Sequence, residues 1–521
     1  MSAIAALRQR HAREAALAAV CAILFLTFLD NTIVSVALAD IQSSLSVSVS
    51  GLQWIVDGYM LAFAALMLTG GTLGDLLGRK KVMLTGVALF CAGSIVAAVA
   101  PDTSVLVAGR IVMGLGAAAS EPGTLSLIRH IYPERKERAV VLGVWAAVSG
   151  LALALGPVIG GVLAAGVGWR SIFWFGVGLG GVSFAVAAMT LTESRDPEGR
   201  NLDVPGLAAG AGAIIAATFA VIEGENRGYG TWWIVLLFAV AAALVVAFLL
   251  VEQRVPDPVL KLEFLRNPTF TAANVVAFAV NLSVFSVFFF TALYLQLISN
   301  FSGFQIALVF TALAAAMIVA GPLAGRWTAR VGPREPMVAG CLLAGGGLLL
   351  VDQQLTATTS VAALAWPLAI AGLGFGIALV TMTAAVLTLV PPEQSGMAAS
   401  TVNTSRELGG VFGVAVLGAV VNAQLTGGLD EKLVRLHIPL VYRNVVIQFV
   451  TTGGNITSAE NSPGVKGHAR LIAKVLLAAE GSAGHGVHLA LQIAGGIVLA
   501  AAVVAAFAAR HRVTRMEEVE L

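Results

Sequence analysis

Charge is what this sequence has least of. Of its 521 residues only 12% are Asp, Glu, Lys or Arg, while 58% are hydrophobic, and the mean hydropathy is +0.89. Soluble domains carry nearer a quarter of their residues charged. Water cannot hold this much apolar surface, so the bilayer is the solvent and a soluble globular protein is excluded. Cysteine is nearly absent. Cys21, Cys91 and Cys341 fall inside apolar runs and read as small buried residues, not disulfide partners or metal ligands. No stretch reads G-x-x-x-x-G-K-S/T, so ATP is not the expected energy source. The seven histidines lie in loops, termini or one polar segment near the C-terminus, without a metal cluster. No cofactor is expected. A net charge of +2 gives no reason to expect nucleic acid as a partner.

What the chain has instead is long apolar runs. They fall at about 16–41, 52–73, 82–100, 104–128, 139–165, 171–191, 204–222 and 231–251, then at about 269–298, 304–326, 336–351, 361–390, 396–422 and 487–509. Each is near the ~20 residues that cross a bilayer core. The first follows Arg8, Arg10 and Arg13, as in a signal peptide. It is too long for a signal core and contains Asp30, so it reads as a retained first helix. The expected fold class is an all-α integral membrane protein with 14 transmembrane helices.

Orientation follows from Lys and Arg, which gather on the cytoplasmic side. With the N-terminus inside, the inner loops hold Arg79, Lys80 and Lys81; Arg129, Arg135, Lys136 and Arg138; Arg195 and Arg200; Arg254, Lys261 and Arg266; and Arg326, Arg330 and Arg334. The C-terminal end carries Arg510, Arg512 and Arg515, while the short outer loops hold only Arg170 and Arg227. Both termini are therefore expected in the cytoplasm. A long polar segment, 423–486, then lies outside, with Leu433 to Val450 and Ala469 to Ala479 alternating as an amphipathic or partly buried hairpin.

The stretch Gly70 to Leu84, GGTLGDLLGRKKVML, links spans 2 and 3. Its Gly71, Gly74, Asp75, Gly78 and Arg79 form the pattern G-x-L-x-D-x-x-G-R-K, which resembles the loop between helices 2 and 3 of the major facilitator superfamily. Asp75 at a neighbouring helix N-terminus would be favoured by the dipole, with Arg79 holding it there. The chain repeats the theme at Gly321 to Arg334, GPLAGRWTARVGPR, with Gly332 beside Gly78 and Ala329 where Asp75 would fall. Two six-helix halves joined by an inserted pair account for this: 1–191, then a linker with two helices over 192–268, then 269–521. Paired halves rocking about a midplane site are the usual secondary-transporter design.

A charge at the bilayer centre costs about 2.5–3.5 kcal/mol, so ionisable residues within spans are functional by default. Asp30 lies in span 1, Asp57 in span 2, Arg110 and Glu121 in span 4, and Arg406 and Glu407 in span 13. Arg110 and Glu121 share a helix face but stand about 16 Å apart at ~1.5 Å per residue, too far to pair. Arg110 then needs Asp30 or Asp57. Such a pair is either a fixed packing device or a proton-coupling site. Asn274, Asn281 and Asn403 are candidates for polar cavity lining. Phe278, Phe285, Tyr294, Phe375, Met382 and Phe412 read as packing before they read as cavity wall.

The resemblance sharpens at these residues. Leu29-Asp30-Asn31-Thr32-Ile33-Val34 is similar to the helix 1 motif of the fourteen-helix drug:proton antiporters. Arg110 with Gly114, Gly116 and Ala117 resembles the helix 4 motif, with Met113 where that family often has glutamine. Gly150, Gly156, Pro157, Gly160 and Gly161 match the antiporter motif of helix 5. Trp169-Arg170-Ser171-Ile172-Phe173-Trp174 resembles the opening of its sixth helix, and Arg406-Glu407-Leu408-Gly409-Gly410 its helix 13 pattern. In their own right the helix 5 glycines allow close packing and Pro157 allows a bend. The resemblance implies a proton-driven exporter of amphipathic, often cationic drugs, monomeric and multi-pass in a bacterial plasma membrane, with small-molecule substrate, protons and lipid as partners. From the residues themselves, proton coupling is expected at Asp30, Arg110 and Glu407, and substrate contact at Asp57, Glu121, Asn274, Asn281 and Asn403, because a cavity of apolar walls and acids suits amphipathic cations. A narrow exporter of one antibiotic, metabolite or lipid is the alternative. A non-transporting membrane sensor has no reason to bury these acids.

Overall fold

The computed structural model describes residues 3–132, 134–194, 203–255, 261–390, 395–435, 443 and 469–509. Among them the elements are helices, with no strand. The N-terminal part comprises α1 (Ala3–Ile33), a 3-10 turn (Val34–Ala37), α2 (Leu38–Leu45), α3 (Val49–Leu77), α4 (Arg79–Ala98), α5 (Thr103–Ser120), α6 (Pro122–Ile131), α7 (Arg135–Val167) and α8 (Arg170–Thr190). Next come α9 (Val204–Arg227) and α10 (Trp232–Glu252). The C-terminal part comprises α11 (Pro268–Ser286), a π turn (Val287–Thr291), α12 (Ala292–Leu297), α13 (Gly303–Val331), α14 (Arg334–Gln354), α15 (Val361–Leu389), α16 (Ser395–Arg435) and α17 (Ala469–Ala508).

Thirteen helical stretches among the described residues are long and apolar enough to cross a membrane. The remaining long helix, α3, has 29 residues, about 43 Å at 1.5 Å each, and stands where the second span was expected. The chain is therefore a many-span all-helical membrane protein, as its composition requires: with no water in the bilayer core, every backbone polar group must be satisfied within its own helix.

Packing repeats along the chain. In the first part α5 packs on α3 and α4, α8 on α4 and α1, and α7 on α1. In the last part α15 packs on α13 and α14, α17 on α14 and α11, and α16 on α11. The two parts meet where α7 packs on α13 and where α16 packs on α3. Glycine makes the tight crossings possible. A Cβ on Gly93 would lie 2.7 Å from the Gly109 carbonyl oxygen, and one on Gly374 would lie 2.6 Å from that of Gly340. The repeated loops also match in backbone: Gly78 and Gly332 end α3 and α13 with φ of 110° and 89°, values a side chain opposes.

The pair α9 and α10 attaches through α9, which packs on both α3 and α16. Trp54 Nε1 donates to Glu223 on α9 at 3.3 Å, and the Trp54 and Phe219 rings lie 5.3 Å apart. α10 touches α9 and leaves most of its apolar surface outward, with only 11% of its most apolar window buried.

The polar segment expected over 423–486 departs from expectation at both ends. α16 runs on to Arg435 and α17 begins at Ala469, so these ends are continuations of the flanking spans. Lys432 Nζ donates to the Ala478 carbonyl at 3.2 Å, and Arg443 pairs with Asp430 at 3.0 Å. Residues 436–442 and 444–468, which include most of the expected hairpin, lie outside the described residues, as do Arg195, Arg200, Arg510, Arg512 and Arg515.

Candidate functional site

The centre of the bundle holds Arg110, fully buried on α5. Its guanidinium donates from NH1 to Asp30 on α1 and from Nε to the Ile55 carbonyl on α3 at 2.8 Å. It also lies 4.5 Å over the Tyr59 ring, a favourable place for a cation. The Tyr59 hydroxyl donates to the Thr27 carbonyl at 2.8 Å, which fixes that ring. Three helices thus hold one cation, and of the two acids that sequence spacing left open, Asp30 is its partner. Asp57 is not. It is fully buried on α3, and neither carboxyl oxygen has a hydrogen-bond partner among the described residues.

From Asp30 the polar chain crosses to the other part of the molecule. Asn31 donates to Glu407 on α16 at 3.4 Å. One turn back on α16, Asn403 donates to Glu121 at 3.3 Å and accepts from Arg406 NH1 at 3.4 Å. Positions 403, 406 and 407 share a helix face, so one turn of α16 reads both α1 and the end of α5. Arg406 lies 5.1 Å over the Phe28 ring. The second Glu121 oxygen and the Arg406 Nε have no hydrogen-bond partner among the described residues. α5 ends at Ser120, and Pro122 opens α6 after Glu121. The break sets this carboxyl between two helices, where sequence alone suggested one continuous span.

Beside this network lies a narrow crevice of about 20 Å³, lined by Leu125, Trp145, Thr383, Val386, Leu387, Val402 and Asn403. Trp145 Nε1 donates to the Thr124 hydroxyl at 3.0 Å, which donates to the Glu121 carbonyl at 2.6 Å. The crevice wall therefore connects to Glu121 through both its side chain and its backbone. Of the three amides named for polar lining, Asn403 stands in the crevice wall, bonded to Glu121 behind it. Asn274 and Asn281 do not reach the crevice. Asn274 accepts from Ser405 at 2.9 Å and donates to its own helix at Phe270, and Asn281 donates to Ala277. Both amides are used up holding α11. Phe375 and Met382 are fully buried packing residues, and Phe278 stacks with Phe412 at 6.2 Å.

The glycine motif on α7 separates into parts. A Cβ on Gly156 would lie 2.0 Å from Thr32 Oγ1, and one on Gly160 2.3 Å from the Ile33 carbonyl. Gly161 faces the other part of the molecule, with the Gly303 carbonyl 2.4 Å from where its Cβ would be. Pro157 sits inside α7 without ending it. Gly150 meets nothing within 4 Å, so close packing does not explain it. Gln296 clamps the same end of the bundle as Gly161: it accepts from Ala39 N–H at 3.3 Å and donates to Asp40 at 3.2 Å.

In the loop between α3 and α4, a Cβ on Gly71 would lie 3.4 Å from the Pro122 Cβ, and Gly74 accepts the Gly78 N–H through its carbonyl. The Asp75 side chain is outside the described residues. The anion described at the α4 N-terminus is Glu193, which sequence reading missed. Its carboxylate accepts from the backbone N–H groups of Lys80 at 3.1 Å and Lys81 at 3.2 Å. The signal was present: an acid just past span 6, on the same side as the basic turn. Asn31 and Trp145 were also missed as contact residues. His488, read as lying outside the spans, sits within α17 with its Nδ1 2.6 Å from Asp352.

With this geometry in hand, the chain was compared with known proteins. A family model described as Major Facilitator Superfamily matches residues 20–414. Multidrug resistance protein Stp of Mycobacterium tuberculosis is 33% identical over 433 residues, 83% of this chain and 80% of the relative. A methylenomycin A resistance protein of Streptomyces coelicolor is 35% identical over 416 residues, 80% of this chain and 87% of the relative. The tetracenomycin C resistance and export protein of Streptomyces glaucescens is 30% identical over 482 residues, 92% and 88% of the two chains. Among solved structures, a bacterial homologue of the human lysosomal transporter Spinster, inward-facing and unoccupied, superposes with a TM-score of 0.59 at 18% identity, over 95% of this chain and 97% of the other. That likeness speaks to the fold.

Proposed function

We propose a function from one premise: this chain belongs to the Major Facilitator Superfamily. It is a transporter, and the reading best supported is a secondary exporter that expels amphipathic, often cationic compounds in exchange for protons. The observation that carries this reading is the buried network Arg110–Asp30, Asn31–Glu407 and Asn403–Glu121, which ties α1 and α5 to α16. A charge that gains or loses its proton there changes which contacts between the two parts are favourable. Proton binding is thereby linked to the change of access.

In this reading 1–191 and 269–521 are six-helix halves, the pair within 192–268 is an insert, and α3 completes fourteen spans with both termini in the cytoplasm. The end clamped by Gly161 and Gln296 is then the outer one, and the crevice beside Asn403 faces the cytoplasm, where an exporter collects its cargo. Asp30, Arg110 and Glu407 carry proton coupling, and Glu121, Asn403 and the crevice wall meet substrate. Asp57, an acid without a counter-ion, is a second place for a cation or a proton. Asn274 and Asn281 support α11 behind the site. The glycines of α7, with Arg406, Gly71, Gly74, Asp75, Gly78 and Arg79, serve the conformational change. The protein works as a monomer in a bacterial plasma membrane, without cofactor.

One elementary charge crossing ~100 mV is worth ~2.3 kcal/mol, so a one-for-one exchange of proton for monovalent cation gains nothing from voltage. The names of the Streptomyces relatives favour a second reading on the same machinery, a narrow exporter of a single antibiotic. A susceptibility panel in an efflux-deficient host separates the two: broad protection lost in Asp30→Asn and Glu407→Gln supports the first, and protection against one compound class supports the second. Unchanged protection in both variants would overturn the network's role.

A further inference from the structure

The charges in the central network do not balance. It contains three carboxyls, Asp30, Glu121 and Glu407, and two guanidiniums, Arg110 and Arg406, all buried. Asp30 and Arg110 form a pair. Among the described residues Arg406 is then the cation left for two acids, linked to Glu121 through Asn403 and adjacent in sequence to Glu407. It follows Asn403, which is bonded to Glu121, and precedes Glu407, which is bonded to Asn31. The other ionisable groups that bear on this cluster are Asp30 on α1, Arg110 on α5 and Tyr59 on α3, and they are engaged with one another. Among the described residues one negative charge is therefore left over in a place where a bare charge is unfavourable. Two carboxyls facing one counter-ion behave as a pair whose protons belong to both.

We propose that Glu121 and Glu407 share a single proton across Arg406, and that Glu121 is therefore a second seat of the exchanged proton as well as a wall of the substrate site. The contacts point the same way. Glu121 Oε2 is buried and without a hydrogen-bond partner among the described residues, as is Arg406 Nε. Asn403 bridges these two residues and also lines the crevice. A cation entering the crevice displaces Asn403 and takes up one unit of the pair's negative charge. The shared proton then leaves toward the crevice mouth, and charge is conserved. Glu121 and its break before Pro122 thus make proton release sensitive to cargo. This deepens the proton-coupled reading, but its test needs no substrate.

The test is infrared spectroscopy of the purified full chain carrying ¹³C-labelled glutamate, in mildly alkaline buffer, reading the carbonyl stretch of protonated glutamic acid. Wild type minus Glu121→Gln and wild type minus Glu407→Gln should each show the loss of one protonated glutamic acid. Either replacement leaves Arg406 with one carboxylate and no surplus. Arg406→Met should gain one, since both acids then hold protons. A band unchanged in both glutamine variants overturns the proposal. So does a band lost in one variant and kept in the other, because the proton then belongs to one residue alone. Should Arg406→Met fail to fold, the two glutamine variants decide the matter by themselves. Absence of drug efflux by the wild-type protein, with the band pattern as expected, would count against the exporter reading and leave the shared proton standing.

Discussion

Asp30 and Asp57 are both buried aspartates in the first two spans, yet the same substitution should affect them very unequally. Asp30→Asn removes the counter-ion of Arg110, a guanidinium at 0% exposure whose NH2 already lacks a hydrogen-bond partner among the described residues. Its Nε bond to the Ile55 carbonyl and its seat over Tyr59 remain, but a carbonyl and a ring do not neutralise a charge. Breaking a buried pair by removing one partner costs about 3–5 kcal/mol. At ~1.36 kcal/mol per tenfold, that is on the order of a hundredfold or more in the folded-to-unfolded ratio. Asp57→Asn removes a carboxyl with no hydrogen-bond partner to lose among the described residues and strands no counter-ion, so it should destabilise far less than Asp30→Asn. The assay is unfolding of both purified variants in mixed detergent micelles against wild type, with efflux measured in parallel. A drop for Asp57→Asn equal to that for Asp30→Asn would refute the assignment of Arg110 to Asp30. Equal stability of all three proteins would refute the buried ion pair.

Other replacements test the surrounding framework. Gly161→Ala places a Cβ against the Gly303 carbonyl; overpacking of about 1–3 kcal/mol should lower thermal stability and cut efflux from vesicles about tenfold or more, while Gly150→Ala, which meets nothing, should leave thermal stability unchanged. Gln296→Ala removes two hydrogen bonds that clamp α12 to α2, worth ~1 kcal/mol each. It should raise labelling of a cysteine placed at Ser43 by an impermeant thiol reagent severalfold, in a background lacking Cys21, Cys91 and Cys341. Glu193→Ala uncaps α4 and should cost about 0.5–2 kcal/mol in thermal unfolding; no change would mean the Lys80 and Lys81 amides find another acceptor.

The spans were legible because hydropathy over ~20 residues is set by the solvent and not by the partner helix. For the same reason α14, the weakest apolar run in the sequence, still folds as a span-length helix of 21 residues. The matched positive φ at Gly78 and Gly332 shows that the repeated loop could be read from glycine placement. Pairing was less legible. Spacing put Arg110 and Glu121 on one face but could not choose between Asp30 and Asp57, because that choice depends on how α1, α3 and α5 rotate against one another. Asn274 and Asn281 looked like cavity lining because an amide in a membrane faces protein, yet that rule does not separate a ligand's contact from a helix's own carbonyl. The extension of α16 to Arg435 was hidden because polar residues there find partners beyond the apolar run, Lys432 at the Ala478 carbonyl and Asp430 at Arg443. Glu193 escaped because a capping acid is distant in sequence from the helix it caps.

Proton release on binding of a cation goes to the centre of the account. Purified wild-type protein in weakly buffered detergent, mixed with tetraphenylphosphonium, should acidify the medium. The Asp30→Asn and Glu407→Gln variants should release fewer protons or none at the same occupancy. Binding that leaves the pH unmoved, or release that is identical in all three proteins, would contradict it.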